Sequence, residues 1–136
     1  MEELKYNIFL DDVRFPKDVY WIKYPENIKW DIICRNYNEF VETIKQYGLP
    51  EYCSYDHDMM DFHYLEFHRA WNGDRTLNYD NMGEEKTGYH CVQFLIDFCI
   101  FYNVAFPKYF VHTMNPIGKE NIENLIENSK KHFDFL

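Results

Sequence analysis

Positive charge is scarce in this chain: 14 Lys and Arg stand against 23 Asp and Glu in 136 residues, for a formal charge of −9 and a pI near 5.0. That balance excludes duplex nucleic acid as a partner, because proteins that bind its backbone gain affinity by setting cations against phosphates. Any phosphate taken here is expected to be small and clamped locally. No stretch approaches the roughly 20 consecutive apolar residues of a membrane span. Met1-Glu-Glu-Leu-Lys lacks the basic-then-apolar pattern of a targeting segment. The expectation is a cytoplasmic protein with no membrane partner. The four cysteines, Cys34, Cys53, Cys91 and Cys99, form no CxxC pair and sit in apolar runs. They read as buried free thiols of a reducing compartment. Internal repeats and low-complexity tracts are also missing.

What is present is enough for one domain spanning 1–136, long enough to bury a core without disulfides or structural metal. Aromatic residues supply 20% of the chain, so that core is expected to be built largely from rings. Short apolar runs at Tyr6–Leu10, Trp30–Cys34, Glu51–Tyr55 and Tyr109–Val111 read as buried strands. Residues 13–29 carry two prolines and no helical period, which predicts a loop or a degenerate crossover. Asn36 or Asn38 caps a helix through Phe40, Val41, Ile44 and Tyr47, with Gly48 as its stop. Thr87 caps a second helix with Cys91, Leu95, Phe98 and Tyr102 on one face, widened by Phe94 and Phe101 and ended by Pro107. Asn115-Pro116 opens a closing helix with Ile122, Leu125, Ile126 and Phe133 inward. Between them, residues 59–86 look irregular and are expected to be an insertion or mobile lid. Strands alternating with helices imply an α/β protein with a parallel or mostly parallel sheet joined by right-handed crossovers.

Three strands run into polar clusters: Asp11-Asp12, Asp56-His57-Asp58 and His112-Thr113. In a parallel sheet these meet at the carboxyl edge, where open α/β sheets bind ligands. Crowded carboxylates raise one another's pKa unless a cation neutralises them. Asp11, Asp12, Asp56 and Asp58 are therefore the expected metal ligands, with an oxygen-preferring Mg²⁺ or Mn²⁺ as cofactor. Arg14 and Lys119 follow two of the strand ends and suit phosphoryl oxygens, as do Thr113, Asn115 and the amides opening the last helix. His57 and His112 are candidates for acid–base work. His63 and His68, five apart, lack the spacing of a helical zinc pair, and with His90 and His132 they read as solvent or core residues. Arg35 either reaches the crevice or pairs on the surface.

The segments IFLDDVRFP (Ile8–Pro16), CRNYNEF (Cys34–Phe40), SYDHD (Ser54–Asp58), TGYHC (Thr87–Cys91) and HTMNPIGKENI (His112–Ile122) together resemble the cyclic-phosphate processing receiver-like domain family. The resemblance spans nearly the whole chain. Its most specific pieces are the ordered patterns LDDxR, SxDHD and H[ST]xNPxGxxNI. It implies a three-layer receiver-like (flavodoxin-like) fold with about four or five mostly parallel strands and flanking helices. It also implies an acidic pair after the first strand, an aspartate after the third, and then a hydroxyl and a lysine. Asp11, Asp12, Asp56 or Asp58, Thr113 and Lys119 match those roles. The helix-poor first crossover, the short gap between Thr113 and Lys119, and the added His57 and His112 depart from an ordinary receiver.

The expected activity is hydrolysis of a cyclic phosphate by a metal-dependent phosphoesterase, acting on a small phosphorylated or cyclic nucleotide or an RNA end. Asp56, His57, His112 and Lys119 would be catalytic, with His57 or His112 protonating the leaving oxygen. One alternative is a non-catalytic receiver that accepts phosphate on Asp56 or Asp58. Another is a module that sequesters a nucleotide, with Trp71 and nearby tyrosines stacking on the base.

Overall fold

The computed structural model describes residues 5–83 and 85–136. Met1–Leu4, on which most of the N-terminal expectation rests, and Glu84 of the 59–86 segment lie outside them. Four strands form one all-parallel sheet: β1 (Asn7–Leu10), β2 (Ile32–Cys34), β3 (Tyr52–Tyr55) and β4 (Lys108–Val111), in the order β2-β1-β3-β4. Successive moves from β2 to β3 and from β3 to β4 run one way across the sheet, while the move from β1 to β2 runs the other way. Right-handed crossovers therefore put the first connection on one face and the next two on the opposite face.

The helices follow that rule. α1 (Tyr37–Tyr47), α3 (Gly88–Tyr102) and α4 (Pro116–His132) share one core with the strand residues Ile8, Leu10, Cys34, Cys53, Tyr55 and Val111. All four cysteines are free and buried. The opposite face carries Phe9, Ser54 and Phe110, one step out of phase, as strand alternation requires. It is covered by the helix-poor segment 13–31, which holds only the short 3-10 turn Pro16–Asp18. Its aromatic rings make the third layer: Trp30 packs edge-on to Phe9 at 5.8 Å, and Tyr24 edge-on to Phe110 at 5.0 Å.

Helix ends are set locally. Asn36, rather than Asn38, caps α1 by accepting from Glu39 N at 2.8 Å. Asn115 caps α4 by accepting from Gly118 N at 2.9 Å, with Pro116 in the first turn. Such caps contribute about 1 kcal/mol each. α3 stops at Asn103, which takes a left-handed φ of 57°, before Pro107 is reached.

Several inward assignments are corrected. Tyr47, Phe101 and Tyr102 are exposed, because Phe40, Val41, Ile44, Cys91, Val92, Leu95, Ile96 and Cys99 already fill the helix–sheet contact. Phe133 falls just past the end of α4 and is also exposed. The larger correction concerns residues 59–86, which contain an eleven-residue helix, α2 (Asp61–Trp71), and a 3-10 turn at Tyr79–Met82. Glu66 ties the two together: it takes Arg69 through two bonds of 2.6 and 2.8 Å, Asn78 N at 2.6 Å and Asn81 Nδ2 at 2.8 Å. No helix among the described residues is long and apolar enough to cross a membrane.

Candidate functional site

Register assembles the site. Leu10 pairs with Cys34 and Tyr55, and Tyr55 with Val111. The next residues continue the ladder: Asp11 N donates to Cys34 O, Asp56 N to Leu10 O, and His112 N to Tyr55 O. Asp11, Asp56 and His112 thus stand side by side where the crossover direction reverses between β1 and β3, the place where a crevice opens in such sheets. All three are buried, and their ligand atoms lie within 4.8 Å of one another, a group that could hold a metal ion.

The two carboxylates have different surroundings. Asp11 Oδ1 accepts from Val13 N at 3.0 Å and Arg14 N at 2.8 Å, while Oδ2 faces His112 Nε2 at 3.0 Å. Burial opposes its charge, but the His112 and backbone hydrogen bonds outweigh burial and hold the carboxyl below its usual range. Asp56 accepts from His57 N through Oδ1, but its Oδ2 is buried without a hydrogen-bond partner. Burial, and then the Asp11 charge, push Asp56 well above the usual range. Asp12 also has a buried Oδ1 without a partner, and the same two causes raise its pKa to about 6. Arg14 is the nearest cation, 3.5 Å from Asp11 Oδ2 and 3.9 Å from Asp56 Oδ2, with its guanidinium over Trp21.

Beside this group lies a cleft of about 250 Å³ lined by Arg14, Asp56, Asp58, Thr113, Met114 and Asn115 on the sheet side. Tyr64, Phe67 and His68 of α2 form its other wall. These three were not expected in the site, since the only signal for them was the helix itself. Asp56, acting after burial, raises the Tyr64 hydroxyl far above its usual range, which places that ring beside the acids.

The structure separates some residues that the sequence groups together. Asp58 lines the cleft, yet its Oδ1 takes a 2.6 Å bond from His57 Nδ1, and its carboxylate takes Asn115 Nδ2 at 3.3 and 3.4 Å. It is a hydrogen-bonded carboxylate, as Asp11 is through Val13, Arg14 and His112, whereas Asp56 keeps an open Oδ2. His57 is fully buried and points to the helix side, where Nε2 accepts from Tyr79 OH at 3.0 Å. Alternation explains this, since Ser54 and Asp56 face one way and Tyr55 and His57 the other. A proton-donating role for His57 is therefore corrected: its Nδ1 is spent on the cleft-lining Asp58 and its Nε2 on Tyr79, and His57 itself is not among the cleft-lining residues. Lys119 sits in the first turn of α4 and is not among the cleft-lining residues. Thr113 lines the cleft, its hydroxyl accepting from Asn115 N at 3.2 Å. Arg35 donates to Asp11 O and Arg14 O, so it braces the loop after β1. His63 is a core residue, with Nδ1 accepting from Met59 N and Nε2 donating to Glu85 O.

An all-parallel sheet in the order β2-β1-β3-β4, with acids after β1 and β3 and a hydroxyl after β4, defines a receiver-like α/β protein. The profile of the family described as Cyclic-phosphate processing Receiver domain matches residues 6–128, and the chain belongs to that family. No curated protein and no solved structure matches it.

Proposed function

We propose that this protein is a metal-dependent phosphoesterase that opens a cyclic phosphate on a small nucleotide or an RNA end. The observation that carries the reading is the unpartnered, buried Oδ2 of Asp56 beside the charge of Asp11. A buried acceptor left bare costs about 1–3 kcal/mol, and a second carboxylate beside it adds repulsion. A bound cation removes both costs. Asp11 and Asp56 would hold it with Asp12 alongside, and an all-oxygen donor set suits Mg²⁺ or Mn²⁺. When bound, such an ion neutralises phosphoryl oxygens and lowers the pKa of water.

The chain's own groups supply the rest. Arg14 reaches the acids from the cleft wall and can turn to a phosphoryl oxygen once a cation replaces it. Thr113 and Asn115 line the cleft, where they would orient the phosphate, and Lys119 would add positive charge from the first turn of α4. His112 is turned to Asp11 and His57 to Tyr79, and the imidazole that would protonate the leaving oxygen is that of the cleft-lining His68 on α2. Tyr64 and Phe67 offer ring faces to the base.

The test is ³¹P NMR of 2′,3′- and 3′,5′-cyclic nucleotides incubated with the protein and Mg²⁺ or Mn²⁺. Opening of the ring by the wild type, lost in Asp56→Asn and Asp11→Asn, supports the reading. No turnover with either cation and either ring size sinks it. A phosphate-accepting receiver is the second reading, favoured by the open Oδ2 of Asp56 as the acid after β3. It predicts an acyl phosphate on Asp56 from a small phosphodonor, with the cyclic nucleotides left intact.

A further inference from the structure

Positive charge in this chain is gathered beside the cleft. Residues 13–35 hold five Lys and Arg against three Asp and Glu, a local charge of +2, while the rest of the chain holds nine against 20, for −11. Three of these cations form a connected cluster with aromatic rings. Arg14, which lines the cleft, lies over Trp21 at 5.4 Å. Arg35 donates to the Arg14 carbonyl at 2.7 Å and lies over Phe15 at 4.7 Å, and the Lys17 ammonium stands 6.0 Å from the same ring. Tyr20 packs edge-on to Trp21 at 5.1 Å. The cluster therefore runs outward from the cleft wall without a break.

Two features of it have no use inside the fold. The first is unspent charge: in a chain with 23 Asp and Glu, neither Lys17 nor Arg35 forms an ion pair among the described residues. Acids close to them in sequence are engaged with backbone, since Asp18 Oδ2 takes Phe15 N and Glu39 Oε1 takes the Arg35 amide, both at 2.8 Å. The second is ring exposure. The same segment packs Tyr24 and Trp30 on the sheet, yet leaves Phe15 48% and Tyr20 85% exposed. Single exposed rings are ordinary on a protein surface, but these share one patch with unpaired cations next to the acid cleft.

Ring faces beside cations are what a single strand requires, because its bases are open to stacking and each nucleotide brings a phosphate. A duplex keeps its base faces stacked away, and a mononucleotide has no second phosphate for Lys17 and Arg35 to meet. A phosphate bridging 2′ and 3′ oxygens requires ribose, so the strand is RNA. We propose that residues 13–35 form a landing surface for single-stranded RNA whose phosphate-bearing 3′ end enters the cleft. Phe15 and Tyr20 take bases upstream of that end, and Lys17 and Arg35 take the phosphates between them. This rests on the reading that the cleft handles a cyclic phosphate, and it narrows the substrate from a free nucleotide to the end of a strand.

The test is fluorescence anisotropy in Mg²⁺ with a short 5′-labelled oligouridine ending in a 3′-phosphate, with uridine 3′-monophosphate as competitor. Neither probe has a ring to open, so turnover does not enter. Stacking of a base on an aromatic ring is worth about 1–3 kcal/mol, so the oligouridine should bind at least roughly tenfold more tightly than the mononucleotide. Phe15→Ala and Tyr20→Ala should each weaken the oligouridine by roughly fivefold or more and the mononucleotide by less than about twofold. Lys17→Ala should reduce the slope of log affinity against log salt by about 0.7, the share of one phosphate on a single strand, which a merely structural role would leave unmoved. Equal affinity for the two probes, equal losses for both in the variants, or equal competition by duplex RNA would each overturn the proposal. Ring opening of cyclic mononucleotides without tighter oligouridine binding overturns this proposal alone. Tight, variant-sensitive oligouridine binding without any ring opening overturns the phosphoesterase reading and leaves the RNA surface standing.

Discussion

Gly118 lies against the imidazole of His57: a Cβ at that position would stand 2.5 Å from Cγ and 2.8 Å from Cδ2. Gly88 is tighter still, since its Cβ would fall 1.7 Å from the carbonyl oxygen of Asp56. The two helix openings close on the residues that follow β3, Gly88 on Asp56 and Gly118 on His57. Overpacking costs about 1–3 kcal/mol or more, against a gain of about 1 kcal/mol for replacing glycine by alanine in a helix. Gly118→Ala should therefore lose a net of about 0–2 kcal/mol, and Gly88→Ala, which meets backbone, should lose more than that. Urea denaturation of both variants checks the order.

Asp56→Asn should stabilise the metal-free protein at neutral pH while abolishing cation binding. A carboxyl whose folded pKa is raised destabilises the fold above its unfolded pKa, and a neutral amide removes that penalty. Coulomb repulsion between carboxylate oxygens within 4.8 Å of each other, at an effective dielectric of about 20, sets the scale at about 3–4 kcal/mol. Thermal melts in EDTA should show a higher midpoint for the variant at pH 7 and little difference at pH 4. A lower midpoint at pH 7 would mean that Asp56 is compensated in the metal-free protein.

Asp12 gives a second pH signature. Its pKa is raised from 3.8 to about 6 by burial and then by the Asp11 charge. Without a cation, its ionisation costs stability increasingly as pH rises from about 4 to about 6. With Mn²⁺ present the sign reverses, because binding requires the deprotonated form and affinity grows as pH passes about 6. Titrating Mn²⁺ between pH 5 and pH 7 should show that rise in the wild type and a flatter curve in Asp12→Asn.

Glu66 holds the wall that α2 builds over the cleft. The Arg69 hydrogen bonds, with those from Asn78 and Asn81, overcome burial and lower its pKa from 4.5 to about 2. Its contribution is present above pH 4.5 and is lost as the pH falls toward 2. In Glu66→Gln, loss of a charge-assisted bond should make opening of residues 72–82 roughly tenfold more frequent. Hydrogen exchange would register this in that segment while β1 and β3 stay protected.

How far the chain could be read from its letters depended on whether burial was carried by apolar side chains. The strand ends were plain because apolar runs stop abruptly at Asp11, Asp56 and His112. α2 was hidden because the buried positions among its described side chains, His63, Glu66 and Ala70, follow a helical period with two polar members, so hydropathy gave no stripe. His57 was misplaced because it shared a cluster with Asp56 and Asp58, although strand alternation turns it to the opposite face. The bond between His112 and Asp11 spans 101 residues. It depends on strand order, which local pattern does not encode.

Strand order also governs when the site comes into being. β1 is the first strand to leave the ribosome, yet its neighbours in the sheet begin at Ile32 and Tyr52. Asp11 therefore lacks Asp56 until β3 docks, and lacks His112 until β4 is laid beside β3. Such distant pairings make folding slow, and they make carboxylate crowding a late event rather than an obstacle to early collapse. A paramagnetic ion added during refolding would consequently be captured only by chains whose sheet is complete through β3, so its relaxation signal would time the docking of β3 on β1.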